Sequence, residues 1–394
     1  MKIKDSKSVP RRISIPSIRD RIVLSQLNKI IRIAFPRESR SPLAGPYVRK
    51  IVSDLATVSL NETWTAGCDI KKFYDSINRV RLKKIIDSRL GGTPAAGLID
   101  RAIQTPTVPL TYRSADKKKY LDASGVAQGL AISNALASIY LAEVDEAMQA
   151  MPVKYYRFVD DVLIVGSKED AAKAQRSFAA RVRARSLSVH KLGDKKSHHL
   201  PLVSSFSYLG YIFQLPSITV RSSTIERLLH SIAAKLSDYR HNSSRVLERR
   251  PYLTRESYRD VFMAELNERI SGAISGDRKY GWVAYFSEIN DLSALHRIDH
   301  AVKGMVSVAF GDMFPELKLK RFSRAYFEMR HRPYGGYVRN YDLIITPAEM
   351  IRFLSFRGRV GPGEKLSEEE IIRRYEAYRD NQIGQMLADE ETIY

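Results

Sequence analysis

Cysteine is almost absent: Cys68 stands alone among 394 residues. An intramolecular disulfide is thereby excluded and a cysteine-based zinc site unsupported, which suits a reducing compartment. Long apolar runs are missing as well. The longest mainly apolar stretch, residues 126–144, is broken by Gln128, Ser133, Asn134 and Glu143 and makes a poor membrane span. The opening stretch MKIKDSKSVPRRISIP has no apolar signal core, so the expectation is a soluble, cytoplasmic chain with no membrane partner. Acidic residues are in deficit, 44 Asp and Glu against 64 Lys and Arg, a net charge of +20. That imbalance argues for a polyanionic partner. There is no internal repeat or long low-complexity segment, and 44% hydrophobic residues are enough for a sizeable core.

Residues 17–33 carry helical periodicity that puts Ile18, Ile22, Leu27, Ile30 and Ile33 near one face. Residues 64–70 read as a strand ending in Asp69, and residues 78–90 as a helix that GGTPAAG (91–97) interrupts. Residues 107–112 and 117–121 suggest a basic hairpin, residues 130–150 a long helix and 171–187 another. Beyond residue 221 the pattern turns almost wholly helical, with helices near 223–239, 255–275 and 281–310 and a last one starting at Ser367, where SEEE is a capping signature. The expected class is α+β: an antiparallel sheet with helices, then an all-helical region.

YYRFVDDVLIVG, residues 155–166, is aromatic and β-branched like a buried strand, yet holds Asp160 and Asp161 at its middle. Burying adjacent carboxylates unpaired costs several kcal/mol or more. GCDIKKFYDSI, residues 67–77, sets Asp69 at a similar strand end. Carboxylates converging from two strands suit hard divalent cations, and Mg²⁺ takes one or two carboxylates plus substrate phosphates. In a two-metal site the ions lie ~3.5–4 Å apart and stabilise both oxygens of an in-line displacement. Because strand neighbours face opposite ways, Asp160 is expected to share the main site with Asp69, with Asp161 more peripheral. Taken alone, the Asp pair also reads as a polar hairpin tip, and Asp75 as a helix-start acceptor. GVAQGLAISNALASIYLAEVDEAM, residues 125–148, adds two glycines around Gln128 before the long helix, and glycine permits close backbone approach.

In order and spacing these pieces resemble the palm of reverse transcriptases. CDIKKFYDSI is similar to the first catalytic motif, GVAQGLAISNALASIYL to the second and FVDD to the third, usually YxDD. HKLGDKKSHH (190–199) is similar to the motif that follows, FSYLGYIF (206–213) to the hairpin that grips a primer end, and RRISIPSIRDRIVLSQL (11–27) to the N-terminal motif of bacterial members. Phe158 departs from the usual Tyr and Ala127 from the common Pro, but every carboxylate is kept. The resemblance implies a right-hand polymerase with fingers and palm over 1–221, a helical thumb-like region over 222–331 and a C-terminal helical extension over 332–394.

It further implies that Asp69, Asp160, Asp161 and the Ile70 backbone carbonyl hold two Mg²⁺ ions, with Mn²⁺ the alternative. Tyr74, Phe73, Gln128 and Lys196 would meet the nucleotide, Tyr74 by crowding a ribose 2′-OH and Lys196 by approaching the triphosphate. Arg19, Arg21, Gly129, Tyr208, Leu209 and Gly210 would meet nucleic acid. Partners would be an RNA template, which a dedicated non-coding RNA would satisfy, dNTPs and a DNA product, with a partner protein or second copy also open.

Retron-type VTG and NAxxH signatures, the LGNxTSQ form of diversity-generating elements and a zinc nuclease tail are all missing. QGLAISNALASIYL and KYGWVAYFSEINDLSALHRIDHAV (279–302) are more similar to the Abi and unknown-group bacterial enzymes, many of which act in antiphage defence. The expected activity is RNA-directed DNA synthesis in that setting. Template-independent or protein-primed nucleotidyl transfer, with Tyr394 as the candidate primer, is one alternative. A catalytically silent nucleic-acid-binding scaffold is the other.

Overall fold

A computed structural model describes residues 12–39, 44–109, 111–120, 124–194 and 196–391. Its contacts separate two compact units. One takes in the described residues before 44 together with 53–204; the other joins Ala44–Val52 to the chain from residue 205 onward.

The first unit begins with α1 (Ile18–Ala34), where Ser17 caps the Asp20 N–H. Helix α2 (Ala44–Leu55) follows in sequence, but its Ala44–Val52 part belongs to the second unit; the first unit resumes through β1 (Trp64–Asp69), α3 (Phe73–Ser76), α4 (Arg79–Leu90) and α5 (Pro94–Gln104). Thr93 caps α5 and Pro94 opens it, so the GGTPAAG interruption is confined to the turn before Pro94. After α6 (Ser133–Gln149) come β2 (Lys154–Phe158), β3 (Asp161–Gly166), α7 (Lys168–Arg183) and β4 (His198–Pro201). The strands form an antiparallel sheet in the order β2-β3-β1-β4. Consecutive residues of β1 and β3 are buried along their whole interiors. A sheet covered on both faces reads as a continuous apolar run, not an alternating one.

Two expectations need correction here. On α1 the buried residues are Leu24, Leu27 and Ile31, while Ile18 and Ile33 are each 79% exposed and Ile22 61%. The expected basic hairpin across 107–121 is not present among the described residues; Ser114–Tyr120 is a 3₁₀ helix.

The second unit opens with the antiparallel meander β5 (Phe206–Tyr208), β6 (Tyr211–Gln214) and β7 (Ser217–Val220). Leu209 and Gly210 both have positive φ, 51° and 82°, as a two-residue hairpin turn requires. Helices follow: α8 (Ser222–Arg249), α9 (Arg255–Ser271), α10 (Trp282–Tyr285), α11 (Leu292–Phe310), α12 (Phe322–His331), α13 (Pro347–Phe356) and α14 (Glu368–Glu391). The helix expected over 281–310 is broken because Asn290 leaves it to bond β7, accepting from the Ile218 N–H at 2.7 Å. The region is also not all helix. β8 (Ala273–Ser275), β9 (Arg278–Tyr280) and β10 (Arg339–Asn340) form a small sheet, too short for a period-two pattern to register. Within this unit Glu268, almost wholly buried, pairs with Arg357 and Arg339 and accepts from the Tyr341 hydroxyl at 2.9 Å. Among the described residues no helix is long and apolar enough to cross a membrane.

Candidate active site

The register of the central strands brings the aspartates together. Asp69, the last residue of β1, lies directly opposite Asp161, the first of β3. Opposed residues of an antiparallel pair project to the same face, so Asp161, expected at the periphery, and not Asp160, is the direct cross-strand partner of Asp69. The next residue, Ile70, donates its N–H to the Asp160 carbonyl at 3.0 Å, so both aspartates of the β2–β3 turn adjoin Asp69. Ile70 itself is buried, and only its backbone is available to a ligand.

Two nitrogen-bearing side chains converge on Asp69. Lys196 Nζ stands 2.7 Å from Oδ2 and His190 Nε2 3.3 Å from Oδ1. His190 Nδ1 in turn faces Asp194 Oδ2 at 3.5 Å, and its backbone N–H bonds the Asp69 carbonyl at 3.0 Å. Lys196 is about half exposed, so this pair contributes on the order of 1 kcal/mol or less, and its ammonium is free to exchange carboxylate for phosphate at small cost. The three carboxylates and the Ile70 carbonyl are hard oxygen donors, a set that fits a hard divalent cation, and the ammonium at Asp69 shows the site attracting positive charge. Among the described residues no group of three or more Asp, Glu, His or Cys closes into a ready cage. An Mg²⁺-type site does not need one, since water and substrate phosphate complete the shell.

The turn that carries Asp160 is unusual. Phe158 pairs with Asp161, leaving Val159 and Asp160 as a two-residue hairpin turn, and Val159 has φ 56°. Positive φ at the first central residue is a place hairpins give to Gly, and a β-branched residue there costs on the order of 1–3 kcal/mol. Arg157 holds this turn. Its Nη1 donates to the Val159 carbonyl at 2.9 Å, while Nε donates to Asp145 Oδ1 at 2.7 Å and Nη2 bonds Asp145 Oδ2. The Tyr155 hydroxyl also donates to Asp145 Oδ1, at 2.8 Å.

The motif around Gln128 is fastened at both ends. Gly125 donates to the Ile77 carbonyl and Val126 to that of Tyr74, each at 2.8 Å. Gln128 uses its own carbonyl to accept the Ser14 N–H at 2.8 Å. A Cβ on Gly129 (φ 97°) would meet the Ser14 carbonyl oxygen at 2.7 Å, so the close approach that this glycine permits is made by the chain's own N-terminal segment. The Tyr74 hydroxyl donates to Asn134 Oδ1 at 2.6 Å, linking the α3 start to the first turn of α6.

Other expected contacts are placed differently. Phe73 is 2% exposed and belongs to the core, so its ring does not face a nucleotide. In the second unit, Tyr208 and Leu209 are also buried, and the Gly210 carbonyl accepts the Arg221 N–H. Their side chains are therefore not presented to nucleic acid. Arg19 and Arg21 are exposed on α1. Tyr394 lies outside the described residues. Cys68, beside Asp69, is buried, and burial pushes its thiol up to about 12, which makes it inert. His190, Asp194, Asn134, Arg157 and Asp145 were not singled out from sequence. The signals present were the i, i+4 spacing of His190 and Asp194, and the position of the others within motifs already quoted.

A profile of the family described as reverse transcriptase (RNA-dependent DNA polymerase) matches residues 3–213. Among curated proteins none matches. Similar solved structures include apo telomerase from Candida tropicalis truncated from the C-terminal domain, 14% identical over 52% of this chain and 45% of that one, with a TM-score of 0.36. Telomerase from Candida albicans in complex with a TWJ fragment of telomeric RNA is 13% identical over 75% of this chain and 55% of that one, TM-score 0.41. A further structure of apo telomerase from Candida tropicalis is 13% identical over 95% of this chain and 60% of that one, TM-score 0.40. The chain thus spans roughly half the length of these structures.

Proposed function

The chain belongs to the reverse transcriptase family, and from that premise we propose that it synthesises DNA from dNTPs on an RNA template, using Mg²⁺ at Asp69, Asp160 and Asp161. The observation that carries the reading is the register of β1 and β3, which sets Asp69 opposite Asp161 with Asp160 alongside. Reverse transcriptase domains use divalent ions; such ions, when bound, stabilise the attacking and leaving oxygens of an in-line displacement. The aspartates and the Ile70 carbonyl hold the charge. A terminal hydroxyl of the growing strand forms the new bond to the α-phosphorus as the bond to pyrophosphate breaks. Lys196, half exposed beside Asp69, would turn to the leaving phosphates, and Tyr74 would crowd a ribose 2′-OH.

Residues 1–221 would act as fingers and palm, 222–331 as a thumb-like region and 332–394 as an extension. In the first unit Arg19 and Arg21, both exposed, would track nucleic acid. The resemblance of residues 279–302 to Abi-type enzymes supports a role in bacterial antiphage defence, in the cytoplasm. Nucleic acid copurified with the wild type and with an Asp160→Asn, Asp161→Asn double variant tests the reading. Removing the metal ligands forfeits several kcal/mol of transition-state stabilisation, a loss of about 10³-fold or more in rate. DNA complementary to a bound RNA, present only with the wild type, is the expected result. Homopolymer or repeat DNA would indicate untemplated synthesis, nucleotides covalently attached to the protein would indicate protein priming, and identical nucleic acid from both proteins would indicate a scaffold.

A further inference from the structure

We infer that Arg157 and Asp145 are positioning residues for the metal-binding turn: they hold Val159 in a backbone conformation that its side chain opposes and so fix where Asp160 and Asp161 project. The inference rests on the metal role proposed above for those aspartates. Three observations meet at one point. Val159 is β-branched and sits at φ 56°, in a two-residue turn where glycine would be at ease. The turn's own ladder does not hold the Val159 carbonyl; that oxygen takes a hydrogen bond from Arg157 Nη1 at 2.9 Å. The Arg157 side chain making that bond is only 9% exposed and is gripped through Nε and Nη2 by Asp145 of α6, itself steadied by Tyr155.

A planar guanidinium held by both oxygens of one carboxylate has little rotational freedom. The Nη1 nitrogen is therefore a fixed point for the Val159 carbonyl. The chain of contacts runs from the core helix α6, through a charge pair, to the peptide that immediately precedes Asp160. Loss of the clamp lets the turn relax to negative φ at Val159, which rotates that peptide and carries the two carboxylates away from Asp69. A salt bridge serving only to join α6 to β2 would need the Asp145 bonds but not the bond to Val159.

The test uses the full-length chain and Mn²⁺ as probe, with free Mn²⁺ read by electron paramagnetic resonance and folding by circular dichroism. Arg157→Gln is expected to weaken Mn²⁺ binding by about 10–100-fold while the fold is kept, the range seen when outer-shell partners are removed. Adding Val159→Gly to Arg157→Gln is expected to recover most of that loss, because glycine adopts the turn unaided. Unchanged Mn²⁺ affinity in a folded Arg157→Gln protein overturns the inference, and so does a double variant no better than the single one. If Arg157→Gln does not fold, Asp145→Asn, which keeps the shape of the pair and removes its charge, is read by the same criteria. Wild-type Mn²⁺ binding that Asp69→Asn leaves intact overturns the metal reading itself, a result distinct from Mn²⁺ binding that depends on Asp69 but not on Arg157.

Discussion

Tyr74 owes its orientation to a polar bond rather than to packing alone. Its hydroxyl reaches Asn134 at 2.6 Å, which restrains the ring. If the ring excludes ribose, Tyr74→Ala should raise the kcat/KM for rNTPs relative to dNTPs on the order of 10-fold or more, measured by single-nucleotide extension with each substrate. Equal discrimination in variant and wild type would remove Tyr74 from sugar selection. At this scale the three aspartates were legible because clustered carboxylates in apolar strands have few structural uses. Their helpers were not. His190, Arg157 and Asn134 earn meaning only from partners far along the chain or across a turn, and composition carries no trace of such pairings. Phe73, Tyr208 and Leu209 misled for the opposite reason: aromatic and aliphatic side chains inside a functional motif are as often its foundation as its surface.

Elements here depend on glycines at points of contact. Gly125 has φ 86°, and a Cβ on it would sit 2.7 Å from the Asp75 carbonyl oxygen, a backbone atom that cannot swing aside. Gly125→Ala should therefore destabilise the first unit by about 1–3 kcal/mol, seen as a lower denaturant midpoint with unchanged slope. A variant as stable as the wild type would show that the loop before α6 can shift freely. The helices and the main strands were readable from periodicity and, at Ser367, from a capping signature; Ser367 does cap the Glu370 N–H. The face of α1 was not, because its isoleucines outnumber the leucines that it buries, and periodicity alone cannot say which stripe meets the core. Three-residue strands such as β8 and β9 fall below the length at which alternation can be recognised.

On the scale of the whole molecule, charge is the dominant quantity. A net +20 favours a polyanion, and binding of that kind weakens steeply with salt. The same excess reaches the interior of the second unit. Burial lowers Lys320 to about 8, with Arg339 adding to the effect. The unfolded chain then keeps its proton, up to the usual lysine range near 10.5, after the folded one has lost it. Protons held by the unfolded state exceed those of the folded state in that window, so stability rises with pH from about 8 towards 10. Urea unfolding at stepped pH should show this rise in the wild type and a flatter profile in Lys320→Met; parallel profiles would exclude Lys320 as the source.

Ala44–Val52 belongs with residues from 205 onward, not with its neighbours in sequence. Val48 and Ile51 are fully buried, and Arg49 pairs with Glu288 at 2.8 Å. The second unit is therefore topologically discontinuous. A fragment cut at residue 205 would lack a piece of its own interior, and dissection of the molecule calls for complementation with a peptide spanning 44–52 rather than a single cleavage point.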